Sequence, residues 1–592
     1  MSKFPLTPDA ALPRHPLSHR GRGAQQTPRI GTREKLGYTT PRSSFAASVA
    51  TWLRGKLARQ YAPLSQRPKV ATGRGAGGEG IRLLTLLALL VILLPPAAAH
   101  AQGEPPPTPD PRFGAVETYH TPELADEAGV GWTRIIFYWS ELKKDGPEEW
   151  NEFHAPLARI DREIAGGREV VGLLKHTPAF ATDGIEGAGV PRGLYLPVDD
   201  PGNLWAGFVR EVVSAYEGRI NRWIIWNEPD IPIDVFGAAW QGSVADYYQL
   251  VKVAYLAAHE VDPDVQIHLG GLTYWHNPGY LREFLTAASA DPTAAENGYY
   301  FDVVSLHVYF KPETTLDIVG ATRATLAEFG LEKPIWINET NAPPYDDPAQ
   351  PWEEPVFCVT QEMQASFLVQ EFALALALDV ERIAVYKWVD EPEPLPGFEP
   401  YGLVRYDRSL RPAYDAFRTI VRLYSGTVDA VHVERPELQQ VMLFRGGSVT
   451  RVLWARTPTG VAVRVPALAD SALLVDATGG ETHLTPRGGE YRLTLAGAPC
   501  TPDSECLMGG PPLLLVEEAS PAPESWPEMV AQVEGLAAQN PSAPAAAGDP
   551  PAPSVLRAGG LALPPLAVVL GAGAALIAAA TIPLLRRGRG EG

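Results

Sequence analysis

From Phe113 to about Tyr424, short apolar runs alternate with longer segments whose apolar residues recur at helical spacing. The short runs predict strands at Gly114–Glu117, Thr133–Tyr138, Val170–Leu174, Trp223–Trp226, Gln266–Leu269, Val303–His307, Ile335–Asn338 and Ile383–Lys387. The longer segments predict helices near 122–129, 152–165, 203–216, 243–261, 278–289, 315–329, 361–378 and 412–423. The stretch 203–216 shows the period well, with Leu204, Phe208, Val212 and Tyr216 on one face. Strands that alternate with helices make a parallel sheet, and eight such units make a (β/α)8 TIM barrel, an α/β fold whose working residues lie at the C-terminal strand ends. A doubly wound open sheet is the alternative. It would usually open on a Gly-rich first turn, and Gly114-Ala115-Val116-Glu117 is not one.

After Tyr424 the period changes. Short runs at Gln440–Phe444, Thr450–Trp454, Val461–Val465, Ala472–Val475, Tyr491–Leu495 and Leu513–Val516 are separated by turn residues, with Gly-Gly pairs at 446–447, 479–480 and 488–489. This predicts a small antiparallel β-sandwich over 426–518, behind a barrel over 110–425. Residues 519–557 are rich in Pro and Ala and read as a linker.

The two ends carry a different pattern. Residues 1–80 are rich in Arg, Pro, Gly and Ser without a sustained apolar period, and disorder is expected there. Leu83 to Leu94 is an unbroken apolar run behind Arg82, and Ala97-Ala98-Ala99-His100-Ala101 follows. That is the form of a signal peptide over 81–101. No methionine lies between Met1 and Met363, so initiation nearer the signal, the alternative to a real extension, would need a non-Met codon. Residues 558–585 hold no charge and precede Arg586-Arg587-Gly588-Arg589. This predicts a transmembrane helix with a basic cytoplasmic tail over 586–592, and so an exported, membrane-anchored middle. A buried core helix and a cleaved sorting tail are the alternatives.

Composition narrows the partners. At 592 residues and 45% hydrophobic content the chain can bury a large core and more than one domain. Residues 1–82 carry 15 basic and 3 acidic side chains, whereas the whole chain carries 50 and 69, so the rest is strongly acidic. Nucleic acid is excluded as an expected partner, because phosphate binding needs clustered cations. Cys358, Cys500 and Cys506 are too few for a disulfide scaffold or a metal centre, and neither a metal nor an organic cofactor is expected.

The chemistry gathers at the predicted strand ends. Strand four runs through Trp223-Ile224-Ile225-Trp226 into Asn227-Glu228-Pro229, where proline ends the ladder for want of an N–H. Strand seven, Ile335-Trp336-Ile337-Asn338, delivers Glu339 in the same way. Two glutamates at matching ends of one barrel supply what glycosidic cleavage needs, one carboxyl protonated and the other ionised. Around them fall Arg134 on strand two, Trp139 after it, His176 after strand three, His307 and Tyr309 on strand six, and Trp388 after strand eight. Taken singly, each has an ordinary structural explanation; the clustering gives them weight.

This set resembles the retaining glycoside hydrolases of clan A, which carry both catalytic glutamates at the ends of strands four and seven. The match lies in Trp226-Asn227-Glu228-Pro229 and Ile337-Asn338-Glu339, with Arg134, His176, His307, Tyr309 and Trp388 similar to family 5, and the barrel-plus-sandwich order similar to family 39. The resemblance implies Glu228 as acid/base, Glu339 as nucleophile and Asn227 on the sugar 2-hydroxyl. It implies Tyr309 and Arg134 around Glu339, His176 and His307 as sugar or support residues, and Trp388 as a platform under the sugar. An oligo- or polysaccharide substrate follows. A surface sugar-binding protein without catalysis, and a transglycosylase, stay open as alternatives.

Overall fold

The structure, a computed structural model, describes residues 109–235, 239–351, 355, 357–391, 400–499, 507–521, 525–526 and 555–556. The N-terminal extension, the signal segment, most of the linker and the 558–585 span lie outside them. No helix among the described residues is long and apolar enough to cross a membrane.

Eight parallel strands form the first sheet: β1 Phe113–Val116, β2 Trp132–Tyr138, β3 Glu169–Lys175, β4 Arg222–Ile225, β5 Gln266–Leu269, β6 Val304–Tyr309, β7 Ile335–Asn341 and β8 Arg382–Val385. Their order is β5-β4-β3-β2-β1-β8-β7-β6. The remaining gap is closed without a full ladder, by single parallel bridges from His268 to Val303 and from Leu272 to Leu306. The backbone bonds Leu269 N–H to Val303 O, Leu272 N–H to Ser305 O and His307 N–H to Leu272 O, each 3.0 Å, complete the closure. The result is the expected TIM-like barrel.

Strand alternation sorts the side chains between two cores. On β2, Ile135 and Phe137 face the outer helices. Trp132 and Ile136 join Val171, Leu173, Ile224, Val303, Trp336 and Ala384 in the barrel interior. The floor is closed by Trp132 against Trp336, with ring centroids 5.0 Å apart. Arg222 and Arg382 lie over Trp336 at 5.2 and 4.5 Å. Both arginines bind Glu169 at 2.7 Å. This end is a packed plug, so only the other end can be open to a ligand.

The principal helices are Pro122–Ala128, Leu157–Ala165, Leu204–Ala215, Val244–His259, Tyr280–Ser289, Thr314–Glu328, Gln361–Ala377 and Pro412–Tyr424, all within a few residues of the helical period. Several starts are set by capping. Ser243 accepts from Asp246 N–H and Asp246 returns a bond to the Ser243 backbone, while Thr360 accepts from Met363 N–H.

Behind the barrel, β9 Thr427–Glu434, β10 Leu438–Arg445, β11 Val449–Ala455, β13 Ala472–Asp476, β14 Glu481–Leu484 and β16 Leu513–Glu517 share one antiparallel sheet, with the Val555–Leu556 pair at its edge. β12 Val461–Pro466 and β15 Glu490–Leu495 form a second, antiparallel pair. Leu453, Val463, Leu493 and Leu515 pack between the layers. β9 has no counterpart in the predicted strands, because its first residues, Thr427 to Ala430, are largely exposed and carry no apolar run. The sandwich is bolted to the barrel: Gln370 donates to Gly510 O and accepts from Gly509 N–H, and Trp454 donates to Glu313.

The loops after β7 and β8 are tied by one buried cation. Arg411 binds Asp347 at 2.7 Å and Asp390 at 2.6 Å, and all three side chains are almost fully buried. Removing the arginine leaves the buried Asp390 without its counter-charge, while Arg405 still holds Asp347 at 2.7 Å. Arg411→Met should therefore lower unfolding stability by about 3–5 kcal/mol, read by denaturant titration at neutral pH.

Candidate active site

β4 ends in strained backbone. Trp226 and Glu228 both take left-handed dihedrals, with φ of 71° and 47°, and Asn227 lies between them. Conformations of this kind cost about 1–3 kcal/mol each and persist where surrounding contacts impose them. Here Trp226 Nε1 donates to Ala239 O, and the Glu228 N–H donates to Gly271 O. The Glu228 side chain is fully buried. Its Oε1 lies 2.8 Å from His307 Nδ1, and its Oε2 has no hydrogen-bond partner among the described residues. Asn227 is partly exposed and makes no hydrogen bond among the described residues.

Glu339 comes from β7, where the pairing with β6 slips by one residue between Leu306 and His307. That bulge turns its carboxylate onto three partners. Arg134 Nη1 stands 2.5 Å from Oε1. The Tyr309 hydroxyl donates to Oε2 at 2.5 Å, and His307 Nδ1 is 3.4 Å from the same oxygen. Burial pushes the Glu339 carboxyl up, but Arg134, His307 and the Tyr309 hydroxyl outweigh it and hold the group below the usual carboxylate range. These contacts favour its ionised form. One oxygen from each glutamate and one His307 nitrogen all lie within 4.8 Å of one another.

Tyr309→Phe removes a hydrogen bond that favours the charged form, so the Glu339 pKa should rise. If turnover needs this group ionised, the acidic limb of the kcat/KM profile should move to higher pH, by about one unit. A pH–rate series on the two proteins reads it.

The other predicted site residues divide. Arg134, Tyr309 and His307 meet at Glu339 as described. His176 stands at the rim with its Nδ1 2.6 Å from Ser140 Oγ and its ring edge-on to Tyr138. Burial and the adjacent Lys175 push His176 down to about 4, so it is neutral at neutral pH. Trp139 is not in the cleft. β2 stops at Tyr138, and the Trp139 ring packs outward, stacked on Phe208 at 4.9 Å and against Trp205. Trp388 is not in it either. The regular strand ends at Val385, so alternation does not extend to residue 388. The Trp388 ring is fully buried against Tyr414 and Phe417, with Nε1 donating to Thr121. Tyr386, the residue after the last of β8, stands beside Tyr309 and Tyr401.

Four residues escaped the sequence reading. Tyr386 was masked by the larger Trp388 two residues on. Lys175 shares the inward parity of Val171 and Leu173, which was visible in the sequence; its side chain is 3% exposed at the top of the barrel. Burial pushes its ammonium down to about 8, against the pull of Glu228 and Glu339. Asp230 fixes the chain after β5 by accepting from Thr273 N–H, Thr273 Oγ1 and Tyr274 N–H, and burial raises its carboxyl to about 7. Gly271 had no local signature. A Cβ there would stand 1.9 Å from His307 Nε2. Gly271→Ala should therefore displace the imidazole from both glutamates and lower kcat by about 10- to 100-fold, measured on an aryl glycoside.

No family model matches the chain. A β-xylosidase from Caldicellulosiruptor saccharolyticus is 25% identical over 248 residues, 38% of this chain and 46% of that protein. The chain thus spans about half the length of the curated relative it matches. Among solved structures, a family 39 glycoside hydrolase from the gut symbiont Bacteroides cellulosilyticus WH2 aligns with a TM-score of 0.53 at 17% identity, covering 69% of this chain and 81% of that one. A monomeric β-xylosidase from Caulobacter crescentus CB15 aligns at a TM-score of 0.47 and 15% identity, over 70% and 97% of the two chains. The fold likeness rests on the first of these structures. The resemblance to clan A glycoside hydrolases drawn from the motifs is met again in these comparisons, with family 39 among the matching structures.

Proposed function

We propose that the protein is a retaining β-glycosidase that works by double displacement, with Glu339 as nucleophile and Glu228 as acid/base. The observation that carries this reading is the placement of one oxygen from each buried carboxylate within 4.8 Å of the other. Retaining glycosidases hold their carboxyls about 5 Å apart, whereas inverting enzymes leave room for an intervening water. Glu339, kept ionised by Arg134 and Tyr309, attacks the anomeric carbon as Glu228 protonates the leaving oxygen. In the second step Glu228 takes a proton from water, which releases the sugar from Glu339. Asn227, unengaged and beside the acid/base, takes the sugar 2-hydroxyl. Tyr386 offers the apolar ring face that Trp388 does not.

The likeness to a β-xylosidase makes aryl β-xylosides the first substrates to try. The basic-flanked apolar run before the barrel and the uncharged 558–585 stretch after it support export and membrane anchoring, with the barrel outside the cell. The test is to incubate the full-length protein with aryl β-glycosides and follow the anomeric signal of the first product by proton NMR. β-Anomer appearing first supports the reading. An α-anomer, or tight sugar binding with no cleavage, removes it in favour of inversion or of a surface lectin.

A further inference from the structure

The top of the barrel holds more positive charge than its two glutamates use. Arg134 is bound to Glu339 at 2.5 Å, and His307 is shared between Glu228 and Glu339. Lys387, two residues beyond β8, is bound to Glu391 at 2.6 Å. Lys175 alone among these basic side chains has no hydrogen bond and no ion pair among the described residues. Its side chain is 3% exposed. It projects inward from the last position of β3, on the face that Val171 and Leu173 define, with its Nζ 6.0 Å from the Tyr138 ring centre. The groups facing it are Glu228, Glu339, Arg134 and Tyr138, with His176 next in the chain.

A buried ammonium without a partner is costly, and proteins ordinarily pair it or leave it out. A methionine would fill this space at no such cost. Neither catalytic carboxylate forms an ion pair with it: Glu339 is held by Arg134 and Tyr309, and Glu228 meets His307 through Oε1 while its Oε2 makes no hydrogen bond among the described residues. The unpaired N–H donors of Lys175 are left to the space between β3 and the glutamates, where the glycosidase reading puts the reacting sugar.

We propose that Lys175 is a specificity residue for acidic sugars, its ammonium binding an anionic substituent, a uronic carboxylate or a sulfate ester, on the sugar held between Glu228 and Glu339. This deepens the glycosidase reading and rests on it. The anion relieves the desolvation of the lysine on binding, and the charge-assisted bond is formed in both ground and transition states. Its effect therefore falls mainly on KM.

The experiment uses full-length protein and three 4-nitrophenyl substrates: β-D-glucuronide, β-D-glucoside and β-D-glucoside 6-sulfate. The readout is the ratio of kcat/KM on each acidic substrate to that on the neutral one. Lys175→Met should lower the ratio by about 10- to 100-fold, chiefly through KM, while Lys175→Arg retains most of it. In the wild type the ratio should also fall as pH rises through about 8, where the ammonium loses its proton. The ratio cancels the titration of the glutamates common to both substrates. Whichever acidic substrate carries the effect identifies the anion. A ratio unmoved by Lys175→Met overturns the proposal, as does cleavage of the glucoside with neither acidic substrate accepted; the glycosidase reading survives both. If nothing is cleaved, the glycosidase reading falls. Calorimetry with D-glucuronate and D-glucose then decides the proposal, upheld by glucuronate binding that Lys175→Met abolishes and overturned by its absence.

Discussion

Glu339→Gln should abolish turnover of every substrate the wild type cleaves, with kcat down on the order of 10⁵-fold. The reasoning is local. The carboxylate is held in its charged form by both a cation and a phenol, Arg134 at 2.5 Å and Tyr309 at 2.5 Å. An amide keeps the size and loses the nucleophile. It also leaves the buried Arg134 without an anion, so the variant should be less stable as well as inactive, by about 3–5 kcal/mol. The check is single-turnover kinetics together with mass spectrometry in the presence of a slow, activated 2-fluoro glycoside. The wild type should gain the mass of one sugar and the variant none. A variant that still labels would place the nucleophile elsewhere.

Glu228→Gln should give a graded loss. General acid catalysis contributes about 10²–10⁴-fold, and only where the leaving group needs a proton. With an alkyl or sugar leaving group the fall should reach the upper end. With a dinitrophenolate, which departs unaided, the first step should be nearly normal and the second slow, so a burst of phenolate should precede a low steady rate. His307 would keep its 3.4 Å approach to Glu339 in this variant, while its 2.8 Å partner becomes an amide. Equal losses on both leaving groups would exclude Glu228 as the acid.

Much of this arrangement was legible in the chain. The strand and helix periods placed eight units in order, because a buried parallel strand must be apolar throughout and its outer helix amphipathic. The motif ends placed Glu228 and Glu339 from proline and from abrupt polarity alone. Arg134 and Tyr309 came from the resemblance to clan A glycoside hydrolases, and both side chains meet Glu339. Trp139 and Trp388 failed for one reason. Each lies just beyond a regular strand, where two-residue alternation no longer fixes direction, and a large indole takes whichever core is nearer. Gly271 could not be read at all, since its necessity comes from His307, 36 positions away in sequence. Lys175 was readable by parity but lacked a reason to be singled out until its neighbours proved to be occupied.

The closure of the barrel has a mechanical side. Seven of the eight strand junctions are hydrogen-bonded ladders, with register shifts in β6–β7 and β7–β8, whereas the one between β5 and β6 is a row of separate stitches at Leu269, Leu272 and His307. Glu228 stands on one side of that seam, just beyond β4, and Glu339 on the other, on β7. Glu228 itself is sewn to the seam through Gly271 O. The long way round the cylinder, from β4 through β1 to β7, is stiff. The short way is compliant. A bound sugar that draws the two carboxylates together, or an intermediate that parts them, therefore moves them across the line where the wall yields most.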